Sequence, residues 1–280
     1  MEPLGKRIKK LEKKMMLNST KIQPEQNSQM KSSTNSSTSP KEKLQHCLDT
    51  CPGPDICPYS GLLIVGFENP QPVICPRYKK WLKQVELEHE LRNIVPENFS
   101  DKSFENFIIR SAETGKALQL MKKYVKAKAW KSGSSVLITG PNGVGKTHLS
   151  IATIREAMRL GETAALILPV DLMKGSFQEM NERFERLQAV GLFVLDDVAN
   201  DFEKKYFMQR IFELFEHRYR RRKGMIFTTN LSVKEFLSAI GTRMFSRLYE
   251  NLVTLEIHDV DDYRKTLRNK NLDWLKGEKT

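Results

Sequence analysis

The segment at residues 140–147 constrains the fold of this chain more strongly than any other. It satisfies the pattern G-x-x-x-x-G-K-[ST], follows an apolar run at 136–139 and precedes a helical pattern. Glycines in this setting let backbone N–H groups close around phosphate oxygens, and the helix N-terminus adds a partial positive charge. The sequence therefore predicts a phosphate-binding loop. Its residues are Gly140, Pro141, Asn142, Gly143, Val144, Gly145, Lys146 and Thr147.

Polar residues near this loop predict ATP and Mg²⁺ as ligands. Lys146 is expected to reach the β- and γ-phosphates, and Thr147 to bind Mg²⁺ through its hydroxyl. Asp196 and Asp197 end an apolar run at 192–195, where we expect Asp196 to hold Mg²⁺ through water and Asp197 to orient or activate the attacking water. Asn230 ends the next run and suits the γ-phosphate or that water, although an asparagine at a helix-entry turn is equally typical.

Strand–helix alternation from residue 94 onward indicates the fold class. Helical patterns separate five apolar runs that are typical of strands buried on both faces. Ser176 and Ser232 each precede a glutamate by three residues, as at a helix start. We expect an α/β domain with a parallel sheet between two helical layers. The expected strands are 136–139, 164–168, 192–195, 225–228 and 252–257.

Net charge and hydropathy indicate which classes of binding partner the protein can have. The 46 Lys+Arg against 34 Asp+Glu give a net charge of +12, which favours a polyanionic partner. No apolar run approaches the ~20 residues that cross a bilayer, and no apolar stretch follows the N-terminal lysines as in a secretion signal. We therefore expect a cytoplasmic protein with no membrane partner.

Three regions are predicted. Residues 1–45 combine a basic amphipathic helix with a polar linker, and they carry half of the net positive charge. Residues 46–92 contain all four cysteines, and residues 93–280 form the α/β domain. Since a reducing cytoplasm does not sustain structural disulfides, the cysteines favour zinc, with free thiols and an iron–sulfur cluster as alternatives. The expected ligands are Cys47, Cys51, Cys57 and Cys75, with His46 and His89 as further candidates.

Two basic clusters offer surface for the backbone of single-stranded DNA. Solvated helix ends are an equally good interpretation of both, because cations are favoured at helix C-termini. The first comprises Arg218, Arg220, Arg221, Arg222 and Lys223, and the second comprises Lys122, Lys123, Lys126, Lys128 and Lys131.

Several further motifs together resemble a known family. They are Val95-Pro96 with Phe99, Ser103-Phe104-Glu105-Asn106-Phe107, Lys146-Thr147-His148-Leu149, Asp196-Asp197, Thr229-Asn230-Leu231, Arg243 with Arg247-Leu248, and Asp262-Tyr263-Arg264. Over about residues 94–268 the chain resembles the P-loop AAA+ ATPases that load bacterial replicative helicases, the DnaC and DnaI group.

This resemblance implies an ATP-dependent homo-oligomer in which an arginine of one subunit completes the nucleotide site of the next. By motif position that arginine is Arg247, with Arg243 as the alternative; as an isolated pair on one helix face, the two also fit an exposed basic surface. The resemblance adds His148 and a sensor arginine, Arg264, to the nucleotide site. Asp197 stands where many relatives of the wider class have glutamate, and we expect slow hydrolysis.

Three functions fit these motifs. The resemblance implies a loader whose N-terminal zinc domain grips the replicative helicase hexamer while its ATPase domain acts on single-stranded DNA. A transposition helper of the IstB kind shares the ATPase core but is not expected to carry the cysteine region. A scaffold that binds ATP without meaningful turnover is the third.

Overall fold

The computed structural model describes residues 53, 62–65, 71–198, 205–258, 262–265 and 268. The chain divides into two compact units, Met1–Glu86 and Leu87–Thr280. Residues 1–45 lie outside the described part, so the predicted basic helix and linker, like the limits at 45/46 and 92/93, stay predictions. Among the described residues, no helix is long and apolar enough to span a membrane.

A hairpin and the start of a helix make up the described part of the first unit. Strand β1 (Leu62–Val65) pairs antiparallel with β2 (Gln71–Ile74), with Leu62 opposite Ile74. Helix α1 (Pro76–Ile94) begins directly after the buried Cys75 and continues past the division between the units.

A five-stranded parallel sheet forms the centre of the second unit. Its strands are β3 (Ser135–Thr139), β4 (Ala164–Ile167), β5 (Leu192–Val198), β6 (Met225–Thr229) and β7 (Leu252–Glu256). They lie in the order β4-β5-β6-β3-β7, and every neighbouring pair is parallel. This confirms the five predicted strands and places the ends of β3, β5 and β6 side by side at the carboxyl edge.

Helices cover both faces of this sheet. The described helices of the unit, besides the end of α1, are α2 (Ala112–Lys126), α3 (Lys146–Arg159), α4 (Pro169–Leu172), α5 (Phe177–Ala189), α6 (Lys205–Arg220), α7 (Val233–Ala239) and α8 (Gly241–Tyr249). Alternate residues of β3 point into different cores: Val136 and Ile138 pack with α2 and α3, whereas Leu137 packs with α5, α6, α7 and α8. The predicted three-layer α/β architecture is confirmed.

The cap residues expected from the sequence start two of these helices. Ser176 accepts a hydrogen bond from the Glu179 N–H, and the Glu179 side chain accepts one from the Ser176 N–H. Ser232 and Glu235 repeat this reciprocal arrangement at the start of α7. Each pair satisfies N–H groups that a helix start leaves without partners, which fixes where the chain leaves the sheet.

Arg218 corrects one prediction. The sequence predicts it on a DNA-binding surface or at a solvated helix end, but its side chain is fully buried at the amino edge of the sheet. Its guanidinium donates hydrogen bonds of 2.8–2.9 Å to four carbonyl groups. These belong to Leu187, Val190, Gly191 and Gly224.

Candidate nucleotide-binding site

The loop between β3 and α3 has the conformation that its glycines permit. Gly140, Gly143 and Gly145 all have φ between +74° and +144°, a region that disfavours residues with a β-carbon. Space is also limited. A β-carbon at Gly140 would lie 2.1 Å from the Ile257 carbonyl oxygen, and one at Gly143 would lie 1.6 Å from Asp262 Oδ1. A backbone carbonyl at Gly140 and a side-chain carboxylate at Gly143 therefore occupy the space that a β-carbon would need.

Lys146 extends back over the loop. Its Nζ donates to the carbonyl oxygens of Gly140 and Pro141 at 2.7 and 2.8 Å, and to Asn230 Oδ1 at 2.9 Å. The contact with Asn230 joins residues that are 84 positions apart in the sequence. The structure therefore brings together two of the predicted site residues from the ends of β3 and β6.

Thr147 and Asp196 form the oxygen-rich part of the site. The Thr147 hydroxyl lies 3.1 and 3.0 Å from the two carboxylate oxygens of Asp196. A second hydroxyl, that of Thr228, donates to Asp196 Oδ1 at 2.6 Å. Hydroxyl and carboxylate oxygens are the ligands that Mg²⁺ prefers, and Mg²⁺ usually binds to few protein groups beside phosphate oxygens and water. The residues present fit that ion.

Asp197 lies at an irregularity of β5. It is exposed, whereas Asp196 is buried, and its φ of +57° is in the left-handed region. The pairing of β5 with β6 shifts register between Leu195 and Val198. Such a bulge turns a side chain away from the regular alternation of a strand. Here it presents the second carboxylate to solvent at the carboxyl edge of the sheet.

Burial shifts the pKa values of both central charges. Desolvation raises the pKa of Asp196 above its ordinary value, while the hydrogen bonds from Thr228 and Thr147 oppose that rise. Desolvation also lowers the pKa of Lys146, and the negative charges of Asp197 and Asp196 counteract this. Charged groups that are desolvated in this way are typical of functional sites.

Residues from both ends of the unit close over the loop. Arg110 Nη2 donates to the Gly143 carbonyl oxygen at 2.8 Å, and the Tyr263 N–H donates to the same oxygen at 3.3 Å. The Arg110 guanidinium also lies 5.3 Å from the centre of the Tyr263 ring. Arg264 is exposed beside them, and its charge contributes to the lowered pKa of Lys146. The structure thus places Arg264 near the loop, and its role as a sensor arginine stays a prediction.

His148 faces away from the loop, toward the preceding segment. Its Nε2 lies 2.8 Å from the Ser103 carbonyl oxygen, and its ring meets the Phe107 ring edge to face at 5.1 Å. Phe107 in turn contacts the loop, since a β-carbon on Gly145 would lie 2.7 Å from its ring. These contacts give His148 a role in holding the loop, and its action on a nucleotide stays a prediction.

Arg243 and Arg247 share one face of α8, and their contacts are with α6. Arg247 Nη1 lies 2.9 Å from Glu216 Oε1, and its guanidinium lies 5.9 Å from the Tyr219 ring centre. The Arg243 guanidinium lies 4.8 Å from the Phe212 ring centre and lines a surface cleft of about 350 Å³. Neither arginine side chain contacts the phosphate loop of its own chain.

Three of the four predicted metal ligands, Cys47, Cys51 and Cys57, lie outside the described residues, as does His46. Cys75 is a buried free thiol, and His89 is exposed on α1. Within the described part of the chain, no three histidine, cysteine or acidic side chains are grouped to hold a metal ion.

Sequence reasoning missed two residues of the site. Arg110 lies 33 positions before the loop carbonyl that it contacts, and only the three-dimensional fold reveals that contact. Thr228 and Thr229 follow an apolar run on the strand predicted beside the acidic pair. Two hydroxyl groups in that position could have indicated a contact with the aspartates. The other basic residues of the first predicted cluster lie just before β6, and Lys128 and Lys131 of the second lie just before β3, so these residues are near the amino edge of the sheet. Lys223 there donates to the Ala189 carbonyl oxygen at 2.6 Å.

The chain is similar to known ATP-binding and replication proteins. The IstB-like ATP binding protein family matches residues 83–271. The replicative helicase loader DnaC of Escherichia coli K12 is 26% identical over 175 residues, which cover 60% of this chain and 71% of that protein.

Two solved structures share the fold of more than half of this chain. A DnaC helicase loader aligns with a TM-score of 0.51 at 22% identity, covering 57% of this chain and 99% of the other. A DnaI structure aligns with a TM-score of 0.52 at 18% identity, covering 60% and 93%. The family match includes the whole phosphate loop, both aspartates and Asn230, and the chain belongs to the IstB-like ATP-binding protein family.

Proposed function

We propose that this protein uses ATP to load a replicative DNA helicase hexamer onto single-stranded DNA. The observation that carries the proposal is the convergence of Lys146, Thr147, Asp196 and Asn230 at one sheet edge. The similarity to DnaC, which spans 71% of that loader, supports the choice of a helicase as the partner.

The residues of the site suit ATP hydrolysis. The glycine loop would hold phosphate oxygens with its N–H groups, and Lys146 would exchange its contacts with loop carbonyls for the β- and γ-phosphates. Thr147 through its hydroxyl and Asp196 through water would hold Mg²⁺, which supplies positive charge against the phosphates. Asp197 would orient or activate the attacking water, with Asn230 beside it. Because aspartate is shorter than the glutamate common in the wider class, we expect slow turnover.

The arginine that completes the site would come from a neighbouring subunit of a homo-oligomer. Arg247 and Arg243 both lie on α8 without contacting the phosphate loop of their own chain. A guanidinium supplied in trans stabilises the charge that develops during phosphoryl transfer. We favour Arg247 from its motif position and keep Arg243 as the alternative.

The N-terminal residues are proposed to bind the helicase, with zinc held by Cys47, Cys51, Cys57 and Cys75. A bound metal would stabilise a region with few apolar residues. Metal analysis of anaerobically purified protein should find one zinc per chain. Iron with labile sulfide would indicate a cluster, and a metal-free protein with a folded N-terminal region would contradict both.

DNA is proposed to bind the basic residues at the amino edge of the sheet, now without Arg218. Arg220, Arg221, Arg222, Lys128 and Lys131 are all exposed. Binding to them should weaken steeply as salt increases, because phosphate contacts release counterions. Affinity that does not change with salt would contradict this.

The deciding experiment is co-purification with a replicative helicase, using the full chain and a chain lacking residues 1–92. Retention only by the full chain is expected, and equal retention would show that the ATPase domain alone binds the helicase.

Phosphate release should be measured in parallel for wild type, Lys146→Ala and Asp197→Asn. Equal, negligible rates in all three would favour a nucleotide-gated scaffold, whereas capture of a transposase and of double-stranded DNA would favour a transposition helper.

A further inference from the structure

Thr228 is the single β6 residue opposite the irregularity in β5. The two strands pair in register through Leu195 and Phe227, and pairing resumes with Val198 opposite Thr229. Two residues of β5, Asp196 and Asp197, therefore face one residue of β6. This count is that of a β-bulge, which leaves ladder groups of the longer strand without their usual partners.

The Thr228 side chain supplies the missing hydrogen bonds. Its Oγ1 accepts from the Asp197 N–H at 2.8 Å and donates to Asp196 Oδ1 at 2.6 Å. The residue is fully buried, so water does not compete for these bonds. One hydroxyl thus contacts the backbone of one acidic residue and the carboxylate of the other.

Both bonds constrain the chemistry of the site. The first stabilises Asp197 at φ +57°, a conformation that costs a residue with a β-carbon about 1–2 kcal/mol. The second fixes the rotation of the Asp196 carboxylate, whose oxygens also receive the Thr147 hydroxyl. The Thr228 hydroxyl has a single hydrogen and uses it in the hydrogen bond to Asp196, so the carboxylate acts as the acceptor of that bond.

We propose that Thr228 is a positioning residue that orients Asp196 toward Mg²⁺ and Asp197 toward the attacking water. This inference rests on the proposed function of the site as a Mg²⁺-dependent ATPase. Outer contacts of this kind typically change metal affinity or activity by about 10–100-fold when they are removed.

The test compares Thr228→Val, Thr228→Ser and Thr139→Val in the full chain. Valine keeps the shape of threonine without its hydroxyl, and serine keeps the hydroxyl. Thr139 is the matched control because it is fully buried at the end of the adjacent strand, and its hydroxyl has no hydrogen-bond partner among the described residues. The measurement is a Mg²⁺ titration of the binding of a fluorescent ATP analogue, with phosphate release recorded separately.

For Thr228→Val we expect the Mg²⁺ concentration at half-saturation to rise about 10–100-fold. Thr228→Ser and Thr139→Val should stay within about threefold of wild type. If folded Thr228→Val protein gives the same Mg²⁺ titration as wild type, the proposal is wrong. If the valine variant does not fold, comparing Thr228→Ala with Thr228→Ser tests the same hydroxyl group. If wild type releases no phosphate, the proposed hydrolysis is wrong, and the Mg²⁺ titration still decides the role of Thr228.

Discussion

At the scale of single residues, the phosphate loop depends on the absence of side chains. Gly143 has φ +74° and lies against Asp262, while Gly161 has a similar φ of +82° and has nothing within 4 Å of its would-be β-carbon. The two glycines therefore share the same backbone strain and differ in crowding. Comparing alanine substitutions at the two positions separates effects on nucleotide binding from effects on the free energy of unfolding.

We expect Gly143→Ala to weaken nucleotide binding at least about tenfold, because the new methyl group must displace Asp262 or distort the loop. Gly161→Ala should lower the free energy of unfolding by about 1 kcal/mol through strain alone and leave binding unchanged. Titration with a fluorescent ATP analogue checks the first expectation, and urea unfolding checks the second. Equal binding by both variants would show that the contact with Asp262 is unimportant.

Arg218 is expected to stabilise the domain strongly, because its buried guanidinium donates to four carbonyl groups. Burial lowers the pKa of its guanidinium to about 10, which still leaves it charged at neutral pH. Arg218→Met would leave four carbonyl groups without their donor, so we expect the free energy of unfolding to fall by about 3–5 kcal/mol. The control is Arg220→Met, since the Arg220 side chain is 75% exposed and contacts Glu216 only at 3.6 Å. Denaturant unfolding of both variants measures the difference, and equal midpoints would contradict it.

At the scale of elements, the segment before α2 connects α1 to the phosphate loop. Arg155 of α3 donates to the Lys102 carbonyl oxygen at 3.1 Å and also contacts Glu88 and Ser100. Further along, His148 holds the Ser103 carbonyl, and Phe107 packs on Gly145. One face of α3 therefore fixes a segment that also shapes the loop.

Removing the Arg155 contacts should loosen this segment before it unfolds the domain. For Arg155→Met we expect backbone amides at 99–107 to exchange with deuterium about tenfold faster or more, because local opening then breaks fewer hydrogen bonds. Nucleotide affinity should fall with it, since Phe107 moves with the segment. Arg159→Met is the matched control, because Arg159 lies one turn later, is 40% exposed, forms its ion pair with Glu156 and reaches the segment only through electrostatic attraction to Glu105. Identical exchange in the two variants would contradict a holding role for Arg155.

Most elements could be predicted from the sequence because each depends on local patterns. The five strands are continuous apolar runs, and Ser176 and Ser232 carry their cap partners three residues away. The bulge at Asp196 and Asp197 could not be predicted, since it depends on which residue of a neighbouring strand lies opposite. The burial of Arg218 follows from the sequence, because the residue continues the helical spacing of Phe207, Ile211 and Leu214 and so shares their buried face.

At the scale of the whole molecule, the candidate trans-acting arginines are held against their own subunit. Glu216 pairs with Arg247 across α6 and α8, and the Arg247 side chain is 30% exposed. To act on the nucleotide of a neighbour, this guanidinium has to leave Glu216. Glu216 is only 12% exposed and would keep a 3.6 Å contact with Arg220, so the exchange costs more than breaking an exposed ion pair, for which about 1 kcal/mol or less is typical.

Mixing two inactive variants tests whether the site is shared between subunits. Lys146→Ala lacks the phosphate contact but keeps Arg247, whereas Arg247→Ala keeps the phosphate loop but lacks the arginine. Each should hydrolyse ATP poorly alone. An equal mixture should regain about a quarter of the wild-type rate, because random assembly places an intact loop beside an intact arginine at that fraction of interfaces. Recovery with Arg243→Ala in place of Arg247→Ala would assign the role to Arg243. If neither mixture recovers activity, the site is complete within one chain.

A second prediction concerns Glu216, which holds Arg247 within its own subunit. In otherwise wild-type protein, Glu216→Gln should raise ATP turnover by freeing Arg247, with Glu213→Gln as its neighbour control.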